Sequence, residues 1–257
     1  MLGKKKNHQT EKWSIRTMFG PNMSFSAQEA YKLLRANVMF SFSDEGHGHV
    51  VGITSSLQSE GKSSTAVNTA YALAEAGKKV LLIDADLRRP SVAAKLGLSR
   101  TPGLTNLLVA RANYRELLQN CAAAPGMDVL TSGDIPPNPS ELLGSNRMEN
   151  LMKELTTHYD YVIVDLPPVN VVSDAIAISK VLDGIIMVVR SGVSEQRMLA
   201  EAMRQLKMVN VRILGFVFRD NAGSNTKYGK KYRYKYGYKY GYKYKREYAE
   251  HIKKEND

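Results

Sequence analysis

The chain is poor in the residues that staple or metallate small folds. Cys121 is its one cysteine, which excludes an internal disulfide and suits a reducing cytosol. Five scattered histidines, His8, His47, His49, His158 and His251, have no metal-ligand spacing. No apolar run approaches the ~20 residues that cross a bilayer. Residues 1–6 are basic but lack the apolar stretch of a secretory leader. Net charge is also lacking through most of the chain. The total is +11, yet residues 1–16 hold five Lys/Arg against Glu11, and residues 227–257 hold eleven against four acids. Residues 17–226 therefore net zero. This describes a neutral globular unit with two basic ends, not a basic domain. Such ends suit an anionic membrane surface, nucleic acid or an acidic partner.

What is present has a regular rhythm. A length of 257 residues allows one large α/β domain or two small ones, with a real core. Residues 1–24 show no sustained periodicity and read as a mobile basic arm. Ser26, with Glu29 three positions on, reads as a capping box. The helix it opens places Tyr31, Leu34, Val38 and Phe42 on one face. Glu29, Lys32 and Arg35 lie on other faces, where a solvated charged surface would put them. Six short apolar runs follow, at 50–54, 80–83, 128–130, 161–164, 185–189 and 214–218. They are rich in β-branched residues and apolar on both faces, as strands buried between two helical layers are. Helical patterns at 64–76, 104–109, 114–119, 140–155, 174–182 and 195–208 separate them. The alternation predicts an α/β domain, residues 25–226, with a mostly parallel sheet flanked by helices on both faces. Ligands then belong at the carboxyl ends of the strands.

Those ends carry the chemistry. After the first run comes a polar turn and Ser59-Glu60-Gly61-Lys62-Ser63-Ser64, then a small-residue helix. Strand, polar loop, Gly-Lys-Ser and helix is the layout of a phosphate-binding loop. Its N–H groups wrap the anion, the lysine reaches the β/γ-phosphates and the hydroxyl holds Mg²⁺. The first glycine of the usual spacing is replaced by Ser56. Two further runs each deliver carboxylates to the same edge: Ile83 is followed by Asp84 and Asp86, and Val164 by Asp165. One such aspartate reads equally well as a helix N-cap. Three beside Gly61-Lys62-Ser63 read as a site for Mg²⁺ and ATP, since Mg²⁺ takes one or two carboxylates, phosphate oxygens and water.

The tail, residues 227–257, differs from everything before it. It holds Tyr228, Tyr232, Tyr234, Tyr236, Tyr238, Tyr240, Tyr242, Tyr244 and Tyr248, nine of fourteen tyrosines. From Tyr232 to Tyr244 every second residue is tyrosine, with Lys, Arg or Gly between. No aliphatic residue stands beside them, so this stretch cannot build a core and reads as disordered when alone. Composition leaves three readings open: a solvated low-complexity tail, a polybasic membrane contact, and a surface that stacks bases and binds phosphates.

With these motifs in hand, the chain resembles the P-loop bacterial tyrosine kinases of capsule and exopolysaccharide synthesis, in their free Gram-positive cytosolic form. The resemblance covers about residues 25–220. It rests on the loop at 55–64, on Leu81-Leu82-Ile83-Asp84-Ala85-Asp86-Leu87-Arg88, on Val162-Ile163-Val164-Asp165-Leu166-Pro167-Pro168 and on residues 131–143. It implies a P-loop NTPase fold and an ATP- and Mg²⁺-dependent protein-tyrosine kinase that autophosphorylates its tyrosine tail between subunits. It implies that the loop residues 59–64 bind nucleotide and that Lys62, Asp84, Asp86 and Asp165 are catalytic. Ser63, Asp86 and Asp165 would serve the metal, and Asp84 would orient or deprotonate the tyrosine hydroxyl. Glu29, Lys32 and Arg35 match a subunit-contact motif, with Lys32 where the family has arginine. The implied partners are a membrane-anchored activator that recruits the cytoplasmic kinase to the inner face of the membrane, further copies in a ring, and a phosphotyrosine phosphatase, with no nucleic acid expected. The nine tail tyrosines become phosphate acceptors. A partitioning or positioning ATPase shares the fold, but Leu57 stands where that group carries an extra lysine.

Overall fold

The computed structural model describes residue 20 and residues 23–42, 46–110, 112–121 and 124–219. Most of the expected arm, and the whole tail with its nine tyrosines, lie outside the described residues.

Seven strands form one sheet among the described residues: β1 (His49–Ser55), β2 (Val80–Asp84), β3 (Gln119–Asn120), β4 (Met127–Leu130), β5 (Tyr161–Asp165), β6 (Gly184–Arg190) and β7 (Ile213–Arg219). Their order is β3-β4-β2-β5-β1-β6-β7, parallel throughout except for β3, which pairs antiparallel with β4. The sheet has a separate core on each side, and alternation along the strands divides them. Val50, Leu81, Ile83, Val162 and Val164 enter one core, while Val51, Ile53, Leu82, Ile163 and Ile186 enter the other. This is the double-sided burial that continuous apolar runs require.

The helices divide likewise. On one side lie α1 (Phe25–Phe40), α2 (Lys62–Glu75) and α3 (Val92–Leu96). On the other lie α4 (Leu104–Ala110), α5 (Tyr114–Leu117), α6 (Pro139–Leu143), α7 (Asn146–Leu155), α8 (Asp174–Ala177) and α9 (Gln196–Met208). Helix α2 presses closest, because Ala66, Ala70 and Ala74 let its backbone approach the sheet. It ends where Gly77 takes a φ of +79°, a conformation glycine adopts without a Cβ clash.

Several local expectations are corrected. The N-cap of α1 is Ser24, whose hydroxyl accepts from Ala27 N, and not Ser26. Glu29 reaches Lys32 at 2.8 Å instead of closing a capping box. The pattern at 140–155 is two helices, because Ser145 caps α7 by accepting from Met148 N at 3.3 Å. The pattern at 114–119 ends at Leu117, and Gln119 enters the sheet edge. The pattern at 174–182 passes from α8 into a 3-10 turn at Ser179–Val181. Helix α3 had no periodic signal in its five residues. Strand β7 is not buried on both faces: it is the sheet edge, and Phe216 and Phe218 remain 53% and 68% exposed. Among the described residues no helix is long and apolar enough to cross a membrane.

Leu155 at the end of α7 is fully buried, whereas Met208 at the end of α9 is 71% exposed. Leu155→Ala should cost about 2–5 kcal/mol in urea unfolding, and Met208→Ala less than about 0.5 kcal/mol. Equal losses would contradict the assigned packing.

Candidate active site

The site grows from the turn after β1, which is held from outside its own backbone. Ser56 Oγ donates to both carboxylate oxygens of Glu60, at 2.9 and 3.0 Å, and Leu57 N donates to the same group at 2.8 Å. Ser194, after β6, also donates to Glu60. Ser56 thus supplies a hydroxyl anchor where a glycine was expected. Arg190 donates to Ser59 O at 2.7 Å, across a residue whose φ is +63°. Gly61, the N-cap of α2, has a φ of +97°. A Cβ at that position would strike the Arg219 guanidinium, which donates to Gly61 O at 3.3 Å. The left-handed backbone conformation is what requires glycine here, and its missing Cβ leaves room for the Arg219 guanidinium. Glu60 itself is fully buried and stands outside the cavity wall, so its side chain shapes the loop.

The sheet brings the expected carboxylates together. Asp84 and Asp165 end neighbouring strands in register. Lys62 Nζ lies 2.7 Å from Asp86 Oδ2, 3.5 Å from Asp165 Oδ1 and 3.4 Å from Ser63 Oγ. Burial would lower the Lys62 pKa, but Asp165 and Asp86 outweigh it, and the pKa is raised. Asp165 is wholly buried, and burial pushes its pKa up against the pull of Lys62. Its Oδ2 has no hydrogen-bond partner among the described residues.

Asp84 departs from expectation. Its Oδ2 accepts from Ser91 N and Val92 N, each at 3.0 Å, and its Oδ1 from Asp86 N at 3.3 Å. It caps α3 beneath the floor, and Asp86, not Asp84, lines the cavity. Burial first, and the neighbouring Asp165 carboxylate second, raise the Asp84 pKa to about 7.

The cavity holds about 540 Å³. One bank is polar: Ser59, Gly61, Lys62, Ser63, Ser64 and Asp86. Pro167, Pro168, Val171 and Val172 form an apolar bank. Three more cations line it: Arg88, Arg89 and Lys95. Arg88 is bidentate on buried Asp174, at 2.9 and 3.0 Å, and Ser140 donates to that same carboxylate at 2.5 Å. Residues 131–143 thus support the cavity through Ser140. Arg89 donates to Gln58 Oε1 at 3.0 Å.

The family described as AAA domain matches residues 50–212. Tyrosine-protein kinase YwqD of Bacillus subtilis is 41% identical over 202 residues, covering 78% of this chain and 84% of the relative. The chain belongs to the bacterial tyrosine kinase family. A second member, tyrosine-protein kinase etk of Escherichia coli, is 32% identical over 217 residues, which is 84% of this chain and 29% of etk. The solved etk kinase domain superposes with a TM-score of 0.73 at 32% identity, over 78% of this chain and 79% of that one. The septum site-determining protein MinD of Pyrococcus horikoshii, solved with Mg-ADP, superposes at 0.59 with 22% identity, over 69% and 72%. That last likeness shows the P-loop fold alone.

The contact-motif residues are divided by the fold. Glu29 and Lys32 pair on the surface of α1, while Arg35 turns inward to Ala72 O at 3.0 Å and Glu75 at 3.6 Å. Asp174 escaped sequence reasoning, since it carried only the signal of a helix start. Arg219 stands where related P-loop ATPases often place an asparagine near the adenine, and here it donates to Gly61 O.

The Asp84 pKa of about 7 implies a sign for stability against pH. The folded chain holds this proton more tightly than an unfolded one, whose aspartate titrates near ~3.9. The group therefore stabilises the fold at low pH, and that contribution is lost as pH rises to about 7. Asp84→Asn keeps an acceptor for the α3 amides and removes the slope. Its melting temperature should gain on the wild type between pH ~4 and pH ~7, then level off. A constant difference across that window would contradict the assignment.

Proposed function

We propose that the chain transfers the γ-phosphoryl group of ATP to tyrosine hydroxyls, its own tail tyrosines among them. The observation that carries this reading is the meeting of Lys62 with Ser63, Asp86 and the buried Asp165 beside a cavity that Pro167, Pro168, Val171 and Val172 also line. The polar bank suits a triphosphate, and Pro167, Pro168, Val171 and Val172 suit the ring of an incoming tyrosine.

The donors present fit magnesium: a hydroxyl on Ser63 and the Asp165 carboxylate, one oxygen of which is buried without a partner among the described residues. The bound metal would neutralise β- and γ-phosphate charge. Residues 59–64 cradle the phosphates with backbone N–H groups at the start of α2. Lys62 leaves its carboxylates for the β/γ-phosphates, a short displacement for a four-carbon side chain. That exchange frees Asp86, the carboxylate in the cavity wall, to orient the phenol and take its proton. The tyrosine oxygen forms a bond to the γ-phosphorus as the bridging bond to ADP breaks. Asp84 holds the Asp86 loop from beneath. Positioning and electrostatics supply most of the rate.

The acceptor tail carries a surplus of +7. Each phosphate adds roughly −1.5 to −2 charges, so about four or five would cancel it and more would invert it. Charge inversion suits release of a tail from a neighbouring subunit's cavity, in an assembly contacted through Glu29 and Lys32 on the surface of α1. The etk chain extends well beyond the matched segment, and a membrane-anchored activator is the partner that this reading expects. Exopolysaccharide or capsule synthesis at the inner membrane face is the process it would govern, with a phosphatase resetting the tail. The fold alone also accommodates a positioning ATPase, but Leu57 replaces the lysine of that group.

Lys62→Met should abolish tail phosphotyrosine by mass spectrometry after incubation with Mg-ATP. Asp86→Asn should lower turnover by about 10²–10⁴-fold, whereas Asp84→Asn, which keeps an acceptor for Ser91 N and Val92 N, should lose less than about tenfold. The reverse ranking would return the acceptor role to Asp84, and undiminished phosphorylation in Lys62→Met would overturn the reading.

A further inference from the structure

Four cations line the cavity, and three are engaged. Lys62 sits on Asp86 and Asp165, Arg88 is forked onto Asp174, and Arg89 donates to Gln58. Lys95 is the exception. It rises from α3, a different element from the loop, and is partly buried. Among the described residues its ammonium has no hydrogen bond or ion pair. A half-buried cation without a counter-ion is costly to keep, because burial disfavours its charge. Burial accordingly lowers the Lys95 pKa, and Asp165 is the strongest of the groups that oppose this. Lys95 lines the same cavity as Lys62, Ser63 and Asp86. Its own helix is anchored there by the Asp84 contacts to Ser91 N and Val92 N.

We infer that Lys95 is a second cation for the terminal phosphoryl group, contacting the γ-phosphate of ATP and leaving ADP untouched. The inference rests on the kinase reading above for its substrate, and adds a residue that no motif marks. Lys62 is shared between β- and γ-phosphates, so it cannot by itself separate donor from product. A cation reaching in from α3 meets only the group that is transferred. As that group moves to the tyrosine oxygen its equatorial oxygens keep their charge, and Lys95 follows them while ADP withdraws. The residue thus favours ATP entry and ADP release together.

The test compares nucleotides in Lys95→Met and Lys95→Arg, in the full chain with Mg²⁺. Affinities for ADP and for a non-hydrolysable ATP analogue are read by displacement of a fluorescent nucleotide. In Lys95→Met the analogue should weaken by about tenfold or more, the scale of one charge-assisted hydrogen bond. ADP should change by less than about twofold on that same account, since it lacks the contacted group. Lys95→Arg should recover most of the analogue affinity, and melting curves check that both variants fold. Equal weakening of both nucleotides would overturn the inference in favour of general electrostatics, and no weakening would overturn it outright. Wild-type protein that binds both nucleotides yet yields no phosphotyrosine would sink the kinase reading, while the nucleotide comparison still judges Lys95.

Discussion

Charge crowding at one sheet edge is the constraint on which the rest depends. Parallel strands β2 and β5 end side by side, so Asp84 and Asp165 are forced into register, with Asp86 two residues on. Buried carboxylates repel one another and lose hydration, and both effects raise their pKa values. Lys62 is the cation that makes the cluster tolerable. The residue that neutralises these carboxylates is the same one that the proposed function gives to the phosphates. The stability of the site and its chemistry thus draw on the same ammonium.

Around that cluster each charged group is tied to a separate element. Glu60 fastens the loop to the segment after β6 through Ser194. Arg88 fastens the loop after β2 to α8 through Asp174, and Ser140 of α6 joins them. Arg219 closes β7 onto Gly61. Buried polar groups need partners, and here satisfying them also fixes the cavity's walls. Substitutions that look remarkable in the motif, Ser56 above all, are explained by these ties, since its hydroxyl does work that glycine could not.

Most of the sheet was legible because strand signals are local. Six runs of β-branched residues needed only their own composition to be read, and all six lie in the sheet. The misses have specific causes. β3 has two residues and no pattern. α3 is five residues long and owes its start to Asp84, which lies in β2. The break at Gly144 and Ser145 was hidden by apolar spacing that continues across it. β7 looked like its neighbours, yet an edge position left Phe216 and Phe218 in the open, and no strand announces its place in the sheet order.

By itself the sequence determined the alternation of strand and helix, the Gly-Lys-Ser turn, and the delivery of carboxylates to strand ends. Each depends on residues within a few positions of one another, where periodicity and backbone preference act. Only the tertiary structure decided which carboxylate faces the cavity, since Asp84 and Asp86 are two residues apart and only packing sends one beneath the floor. It also decided that Arg35 turns inward onto α2, and that Lys95 alone among four cavity cations lacks a partner among the described residues. Pairing of charges is set by distances across the fold, and Lys62 and Asp165 are 103 positions apart in the chain.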